Sequence, residues 1–428
     1  MRGRFFLAAV FTVVSGAAQA FCGFYVSRAD GNLYNSASKV VFVRTGDTSV
    51  ITMSSDYRGP AAEFAMVVPT PKVLNRNQVQ TVPSATVDHL DRYTAPRLVE
   101  YFEDDPCSEV LFEPAVVEAK TCSFLGCGGR EKQERRDGAK ALGVTILRDY
   151  SVGSYDIQIL AAKQSDGLAT YLKGEGYKLP DGAEAVLSDY IQMGMKFFVA
   201  RVNLSRHAAD KAQDLEPLQI SFRSNDFMLP IQLGKLNADG PQDLLVMTLT
   251  RKGMVKLQNY TMKDLPTDID VPVFVRDVFP NFYRSMFDKL APNSGAYLEY
   301  AWDMAWCDPC ADEPLSLDAL RGLGVSWVRK KNATTPDVFV TRMHIRYSDK
   351  GMFEDLKFVE TDNRENFQGR YVLNHPFKGK ITCEAGQTYV TETRARVKAE
   401  AAALRKLTGW SASEIAKRIA RTVEPRYR

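Results

Sequence analysis

Two closely spaced cysteines are the residues of this 428-residue chain whose types and spacing suggest chemistry most directly. They lie in the sequence Trp-Cys-Asp-Pro-Cys at positions 306–310, as Cys307 and Cys310. Such a dithiol exchanges disulfides when its first thiol lies at a helix start, because the helix dipole and unpaired N–H groups lower the thiol pKa. The pattern therefore suggests a thiol–disulfide oxidoreductase in which Cys307 attacks and Cys310 resolves.

The sequence around this turn argues against that chemistry. Only 25 residues separate Cys310 from Pro336, where a thioredoxin fold would need most of a long helix, a strand and a crossover. Pro314 and the glycines at 322 and 324 leave room for little more than one short helix. Nearby acidic residues such as Asp308 also disfavour a thiolate. A structural disulfide is therefore the favoured interpretation, and redox exchange is the alternative.

All of the cysteines are candidates for disulfides, and the chain has seven: Cys22, Cys107, Cys122, Cys127, Cys307, Cys310 and Cys383. An oxidising compartment favours their pairing, and an odd number leaves one thiol over or an intermolecular bond. The sequence does not fix the connectivity. A bond between Cys22 and Cys383 would close a very long loop. A zinc site that joins the 122–127 pair to the 307–310 pair is a weaker alternative, because exported thiols oxidise readily.

The first 20 residues predict export. Arg2 and Arg4 form a positive segment, residues 5–14 are almost entirely apolar, and the Ala-Gln-Ala end at 18–20 suits a signal peptidase. The apolar run is shorter than the roughly 20 residues needed to span a bilayer. The bulky Phe21 directly before Cys22 argues against a lipoprotein. We therefore expect cleavage near Ala20 and a soluble protein in the periplasm or the medium, without a transmembrane segment.

Composition and charge set further bounds on the function. The chain is 45% hydrophobic and 25% charged, which is ordinary for a folded protein. Loss of Arg2 and Arg4 with the signal segment lowers the formal charge from +3 to +1, so no overall bias toward nucleic acid remains. Residues 388–428 nevertheless carry ten Lys or Arg against four Asp or Glu. The C-terminal segment is therefore locally basic.

Apolar alternation predicts many strands. Strands at 40–44 and 49–53 flank the loop Thr45-Gly46-Asp47, which indicates a hairpin. Residues 84–102 are predicted to be helical in two pieces, with the second starting at Pro96.

These elements predict the fold class and the division of the chain. There is no regular βαβ alternation and no repeat, so we predict an α+β fold with mostly antiparallel sheets, packed helices and a helical C-terminus. We predict a signal peptide at 1–20 and a β-rich α+β unit at 21–270. The remaining unit, 271–428, is also α+β and holds the cysteine turn and the terminal helices.

Other catalytic and metal-binding patterns are absent from the sequence. None of the four histidines, His89, His207, His344 and His375, lies in an H-E-x-x-H motif, and there is no G-x-S-x-G elbow. His344 alternates with apolar neighbours and is expected to be a packed strand residue. The oxygen-rich segment 362–366 does not match a calcium-loop spacing. We therefore predict no cofactor and no metal site.

The C-terminal helix has a basic face. The capping box at 411–414 opens a helix with Ile415 and Ile419 on its apolar side and Lys417, Arg418 and Arg421 among its basic residues. Alone, this segment could be taken for part of a helix-turn-helix DNA reader, but an exported protein does not meet chromosomal DNA. A docking helix with a solvated basic face is favoured, and peripheral contact with an anionic lipid surface is the alternative.

Several runs resemble a known family. They are FCGFYV at 21–26, APRLVEYF at 95–102, WDMAWCDPC at 302–310, FQGRYV at 367–372 and LTGW at 407–410. They are similar to exported bacterial proteins grouped as domain of unknown function 2330, from the mature start to within about twenty residues of the end. The resemblance implies export and one shared architecture. It implies no activity.

The residues and the resemblance together favour a non-enzymatic envelope protein, supported by disulfides, that binds an unidentified protein or ligand. The first alternative is a periplasmic thiol–disulfide oxidoreductase that uses Cys307 and Cys310. The second is a hydrolase whose residues are brought together only by the fold.

Overall fold

The computed structural model describes residues 24–27, 34–58, 64–108, 143–177, 179–203, 205–206, 215–237, 240–306, 308, 313–328, 336–348 and 350–427. The predicted signal segment lies outside these ranges. So do five of the cysteines: Cys22, Cys122, Cys127, Cys307 and Cys310.

The described residues form strands and helices throughout their length. In chain order the strands are β1 (Phe24–Ser27), β2 (Tyr34–Thr45), β3 (Thr48–Arg58), β4 (Phe64–Thr70), β5 (Val79–Thr81), β6 (Arg97–Phe102), β7 (Val144–Val152), β8 (Tyr155–Ala162), β9 (Lys196–Val202), β10 (Leu218–Arg223), β11 (Met228–Leu229), β12 (Gln242–Thr250), β13 (Val255–Leu257), β14 (Met262–Asp264), β15 (Ile269–Asp270), β16 (Gly295–Asp303), β17 (Phe339–Tyr347), β18 (Leu356–Glu360), β19 (Phe367–Gln368) and β20 (Arg370–His375). The helices are α1 (Ser84–Thr94), α2 (Ser165–Gly174), α3 (Ala183–Gln192), α4 (Phe279–Leu290), α5 (Leu317–Gly322), α6 (Glu384–Thr408) and α7 (Ala412–Thr422).

Two large sheets form the centre of the molecule. One has five strands in the order β1-β4-β9-β8-β7, and the other has nine, in the order β14-β16-β17-β12-β2-β3-β10-β5 with β19 beside β16. Two three-stranded sheets, β11-β18-β13 and β15-β20-β6, complete the set. Most pairings are antiparallel, and two helices end the described chain. The predicted α+β class with a helical C-terminus is therefore confirmed.

The hairpin predicted near the start is present. β2 and β3 are joined by the two residues Gly46 and Asp47, and Gly46 has a φ of 57°. A two-residue hairpin loop needs positive φ, which glycine adopts without a steric cost.

The predicted second helical piece after Pro96 is wrong, because residues 97–102 form the strand β6. Ala95 is extended, with φ −66° and ψ 148°, as expected for a residue that precedes proline. The chain then leaves α1 and pairs in parallel with β20, Arg97 opposite Arg370. Pairing with a distant strand therefore overrode the local helical signal.

The inner faces of the two large sheets share one apolar core. Phe42 and Ile51 of the nine-stranded sheet belong to the same buried cluster as Ile157 and Phe198 of the five-stranded sheet. Helices α2 and α3 cover the outer face of the five-stranded sheet. Helices α1 and α5 cover part of the other sheet.

Helices α4, α6 and α7 pack with β20 in a separate cluster. Strands from both sides of residue 270 pair in the nine-stranded sheet, as in β12 with β17. The division into units at 21–270 and 271–428 stays a prediction. Among the described residues, no helix combines the length and the apolarity that crossing a bilayer requires.

Candidate functional site

A cleft of about 910 Å³ opens beside α3. Its other walls come from the turn after β10, residues 71–72 directly after β4, and the start of β18 with the two residues before it. This volume lies near the upper end of the range of about 300–1,000 Å³ that is usual for ligand pockets. Elements of three different sheets therefore meet around one concave surface.

One wall is held in place by a buried arginine. The guanidinium of Arg44, on β2, donates hydrogen bonds to the carbonyl oxygens of Ser224 at 2.9 Å and Asn225 at 3.2 Å, and to Ser49 Oγ at 2.7 Å. Charged donors make the stronger class of hydrogen bond. The turn after β10, which lines the cleft, is therefore fixed to the nine-stranded sheet.

The floor of the cleft contains a buried carboxyl group, Asp355, which is 8% exposed. Its Oδ1 accepts hydrogen bonds from Tyr190 Oη at 2.7 Å and from the backbone N–H groups of Ile231 at 2.8 Å and Gln232 at 3.3 Å. Burial raises the pKa of Asp355, although these hydrogen bonds oppose the rise. The carboxyl group is thus held rigidly through one oxygen.

The charges around the cleft are mixed, with an acidic excess. Asp47 pairs with Arg223 at 3.4 Å, and Glu354 pairs with Lys357 at 3.0 Å. The other charged residues that line the cleft are Lys72, Asp189, Asp226 and Asp355. Apolar contact is supplied by Met193, Met195, Met228, Phe227 and Phe358. The cleft can therefore bind both polar and apolar parts of a ligand.

A second polar cluster lies in the core between β16, β17 and α4. Glu299 accepts a hydrogen bond from Arg342 Nε at 2.5 Å on one oxygen. Its other oxygen contacts His344 Nδ1 at 2.9 Å and the hydroxyl of Tyr283. The ring of Phe287 stacks on His344 with a centroid distance of 3.5 Å. Arg342 and His344 of β17 are therefore enclosed.

The cluster continues as an alternating line of charges toward the surface on both sides. His344 Nε2 lies 3.5 Å from Asp243 Oδ1, an ion-pair distance without hydrogen-bond geometry, and Asp243 binds Arg346 through both oxygens at 2.6 and 2.7 Å. The full order is Asp88, Lys39, Asp91, Arg342, Glu299, His344, Asp243, Arg346 and Asp288.

These contacts fix the charge states. Burial alone would raise the pKa of Glu299, but Arg342 and His344 lower it to about 2. Burial would likewise raise the pKa of Asp243, which Arg346 and His344 lower to about 2. Burial would lower the pKa of His344, and the two carboxylates raise it instead. The two carboxylates therefore favour the protonated form of His344, which is an enclosed ion-pair partner.

The third feature is an apolar groove of about 440 Å³ between α6 and α7. Ser411 Oγ accepts a hydrogen bond from the backbone N–H of Glu414 at 3.2 Å, so the predicted cap at the start of α7 is present. Ile415 and Ile419 are largely buried and lie at the base of the contact between the two helices, among the groove residues. The groove is lined by small alanines of both helices, with Lys398 and Arg405 among its lining residues.

The sequence profile of a family described as an uncharacterized protein conserved in bacteria, DUF2330, matches residues 16–359. The chain belongs to the DUF2330 family. The resemblance seen in the sequence is thereby confirmed, although its runs at 367–372 and 407–410 lie beyond the matched residues. No curated protein and no solved structure matches the chain.

In this DUF2330 protein, the structure joins two of the seven predicted disulfide candidates. Cys107, in the segment after β6, is bonded to Cys383, the residue that caps α6, across 276 residues of sequence. The sequence left this pairing open. The other five candidates lie outside the described residues, so their pairing stays a prediction.

The cysteine turn is described only in part. Trp306, directly before Cys307, is 68% exposed. Asp308, between the two cysteines, is buried and accepts hydrogen bonds from Tyr300 Oη at 3.0 Å and Gln368 Nε2 at 2.7 Å. Because Cys307 and Cys310 themselves lie outside the description, the redox alternative stays a prediction.

The remaining sequence candidates are engaged in structural contacts. His89 Nε2 lies 2.6 Å from the carbonyl oxygen of Glu313, and His375 Nε2 lies 2.6 Å from Glu100. In the 362–366 segment, Arg364 binds Asp303 at 2.6 Å. Within the described ranges, no group of three or more His, Cys, Asp or Glu side chains is arranged to hold a metal ion. His207 lies outside those ranges.

No sequence motif predicted the cleft residues of this DUF2330 protein. Arg44, Tyr190 and Asp355 come from distant segments, and none belongs to a motif. The core cluster did leave a signal, because Arg342, His344 and Arg346 alternate with apolar residues on β17 and must therefore share one face of the strand.

Proposed function

We propose that this DUF2330 protein is an exported envelope protein that binds a ligand in the cleft beside α3 and is not an enzyme. The observation that carries the proposal is the construction of the cleft. Arg44 fixes one wall and Asp355 fixes the floor, each through several hydrogen bonds. A preformed site loses less conformational entropy on binding than a flexible one.

The signal-like residues 1–20 support export, and the Cys107–Cys383 bond suits an oxidising compartment. Expression of the full chain with a C-terminal tag, followed by fractionation and mass spectrometry, tests this part. We expect a periplasmic or released form that begins near Phe21. An intact form beginning at Met1, folded in the cytosol with reduced thiols, would contradict export.

Ligand binding is tested with the mature chain labelled at its methionine methyl groups. Met193, Met195 and Met228 line the cleft, whereas Met286 is buried in the cluster around α4. Addition of small molecules and peptides extracted from the envelope should shift the methyl resonances of the cleft methionines and leave that of Met286 unchanged.

A matched pair of variants shows where the ligand binds. Asn225→Trp places a bulky side chain in the cleft lining, and Asn293→Trp places one at an exposed position outside it. We expect only Asn225→Trp to abolish the shifts. Equal shifts in both variants would contradict the proposed site, and turnover that depends on one side chain would contradict a purely binding role.

A second candidate function is thiol–disulfide exchange by Cys307 and Cys310. Trp306, the residue directly before Cys307, is exposed. This exposure supports the candidate function, because a disulfide substrate must be able to reach the cysteine turn. Insulin reduction by the mature chain, with Cys307→Ser and Cys310→Ser as controls, tests it. Activity that both substitutions remove would favour the oxidoreductase over the binding protein.

Peripheral contact with an anionic membrane is a further proposal for the C-terminal helices. It is supported by the open groove between α6 and α7, by Lys398 and Arg405, and by the basic excess of residues 388–428. The mature chain should sediment with phosphatidylglycerol vesicles and not with phosphatidylcholine vesicles.

Charge reversal locates that contact. The double variant Lys398→Glu and Arg405→Glu should lose vesicle binding. The variant Lys256→Glu and Lys263→Glu makes the same charge change at exposed positions outside the groove and should retain it. Equal loss in both variants would indicate that only net charge matters and would exclude docking through the groove.

A further inference from the structure

We infer that the cleft beside α3 takes an organic cation, an ammonium or guanidinium group carried on an apolar body. This inference rests on the proposed function, because it names the ligand class of the same cleft. It depends on three observations: the charges left over along the walls, the half-engaged carboxyl group on the floor, and the apolar side chains between them.

The walls keep an excess of negative charge after internal pairing. The two ion pairs of the lining, Asp47 with Arg223 and Glu354 with Lys357, cancel four of its charges. Among the described residues, Asp189 and Asp226 form no ion pair, and both are exposed. Lys72 is the lining cation without an ion-pair partner in the described chain, so within the lining one positive charge faces three carboxyl groups. From outside the lining, Arg44 acts on Asp226 and Lys235 acts on Asp355.

The floor offers the strongest single contact. All three hydrogen bonds that the carboxyl group of Asp355 accepts from described groups go to Oδ1, and none goes to Oδ2. Asp355 lines the cleft although more than nine-tenths of it is buried. Burial makes the charged form of this carboxyl group costly, and Lys235 offsets the cost only in part, so a charged hydrogen-bond donor that enters the cleft would lower it further. The free oxygen is therefore placed to accept from a cationic donor.

The apolar part of the lining suits the body of such a ligand. Met193, Met195 and Met228 bring flexible, polarisable thioethers, and Phe227 adds a partly buried ring. Unbranched thioether side chains adapt to ligands of irregular shape. An alkyl chain or an aromatic residue that carries the cation would contact these groups while its charge reaches the carboxylates.

An anionic ligand fits the same surface poorly. It would meet three carboxyl groups with one unpaired lysine as compensation, and like charges at contact distance repel. The cation can belong to a free amine or to a Lys or Arg side chain of a peptide. Both sources present the same chemistry, and the experiment separates them.

The test uses the mature chain with labelled methionine methyl groups and matched probes. The peptide arm compares acetyl-Leu-Lys-Leu-amide with its Gln and Glu counterparts. The free-amine arm compares hexylamine with hexanol. We expect shifts of the cleft methionines with the Lys peptide or with hexylamine, at least about tenfold weaker binding of the neutral partner, and no binding of the Glu peptide.

Variants assign the effect to the carboxylates. Asp355→Asn keeps the shape and an accepting oxygen but removes the charge, and it should weaken cation binding by about tenfold or more. Asp189→Asn and Asp226→Asn are exposed and should each weaken it by about two- to fivefold. The matched control Asp264→Asn, an exposed position on β14, should change nothing.

The outcomes separate this inference from the proposed function. Equal binding of the Lys and Gln peptides, or unchanged binding by the Asp189 and Asp226 variants, would overturn the cation inference. The proposed function would still hold in that case, because the cleft would still bind a ligand. The absence of a shift with either cation would also overturn the cation inference. The Met286 resonance reports whether Asp355→Asn folds correctly. If that resonance is displaced, the result for Asp355→Asn is set aside, and the Asp189 and Asp226 variants alone decide the test.

Discussion

The central carboxylate of the core cluster gives the sharpest prediction. Replacing Glu299 by Gln keeps the size and the hydrogen-bonding shape of the side chain and removes its charge. Arg342 and His344 would then lose the carboxylate that lies within 3 Å of each of them. We expect Glu299→Gln to lower the free energy of unfolding strongly, because it leaves two buried cations with incomplete compensation.

The magnitude follows from two independent arguments. Removing one partner of a buried ion pair costs about 3–5 kcal/mol. The pKa of Glu299 falls from an ordinary 4.5 to about 2, which corresponds to about 3 kcal/mol of extra stabilisation of the charged form in the folded state. We therefore expect Glu299→Gln to cost about 3 kcal/mol near neutral pH.

The cost must also depend on pH. Because the folded-state pKa of Glu299 is depressed, its contribution is present above pH 4.5 and is lost as the pH falls toward about 2. The pKa of His344 is raised, so His344 is protonated in the folded protein throughout the range from pH 5 to pH 3. Over that range the cost of Glu299→Gln should shrink by about 2 kcal/mol.

Urea unfolding of the two proteins at pH 7, 5 and 3 measures these differences. The matched control is Glu414→Gln, which breaks an exposed pair with Arg418 at 3.0 Å on α7. It should cost less than about 0.5 kcal/mol at every pH. A cost of Glu299→Gln below about 1 kcal/mol, or one that does not change between pH 5 and pH 3, would refute the reasoning.

Three further changes test other parts of the structure. Cys107→Ser opens the 276-residue loop and should lower the free energy of unfolding by up to about 5 kcal/mol. Reductant should lower that of the wild type by the same amount, and a non-reducing peptide map without a 107–383 linkage would refute the pairing. Burial raises the pKa of Glu400 to about 8, so the folded protein loses stability as the pH rises from 4.5 to 8. In urea unfolding, Glu400→Gln should therefore raise the free energy of unfolding by up to about 4 kcal/mol at pH 8.5 and leave it unchanged at pH 4. Gly324 has a φ of +104° and a Cβ there would lie 2.7 Å from Val50, so Gly324→Ala should lower the free energy of unfolding by about 1–3 kcal/mol; an unchanged urea midpoint would contradict this.

Much of the fold could be predicted from local patterns. The hairpin around Gly46 and the cap of α7 at Ser411 depend on residues that are neighbours in sequence, so their signals are complete in a short window. The prediction of a helix at residues 97–102 failed because β6 forms only through its pairing with β20. No short window contains both strands.

The candidate site could not be predicted for the same reason. Asp189, Asp226 and Asp355 are ordinary acidic residues until three separate segments meet around the cleft. The core cluster was closer to being found, because alternating basic residues on β17 required partners on the same face. Their carboxylates, Glu299 and Asp243, come from two other strands, and only the strand order β16-β17-β12 brings them together.

That strand order affects how the protein can be assembled during synthesis. β17 lies between β16 and β12, with Leu244 opposite Ile345. One edge of β12 therefore stays unpaired until β17, roughly a hundred residues further along the chain, has been synthesised. In the same way, one edge of β2 stays unpaired until β12, its parallel neighbour, has been synthesised. A polypeptide stopped near residue 300 would expose unpaired backbone N–H and C=O groups and the apolar side chains of β12. Nascent chains of this protein should therefore depend on holding factors until the last strands of the large sheet emerge.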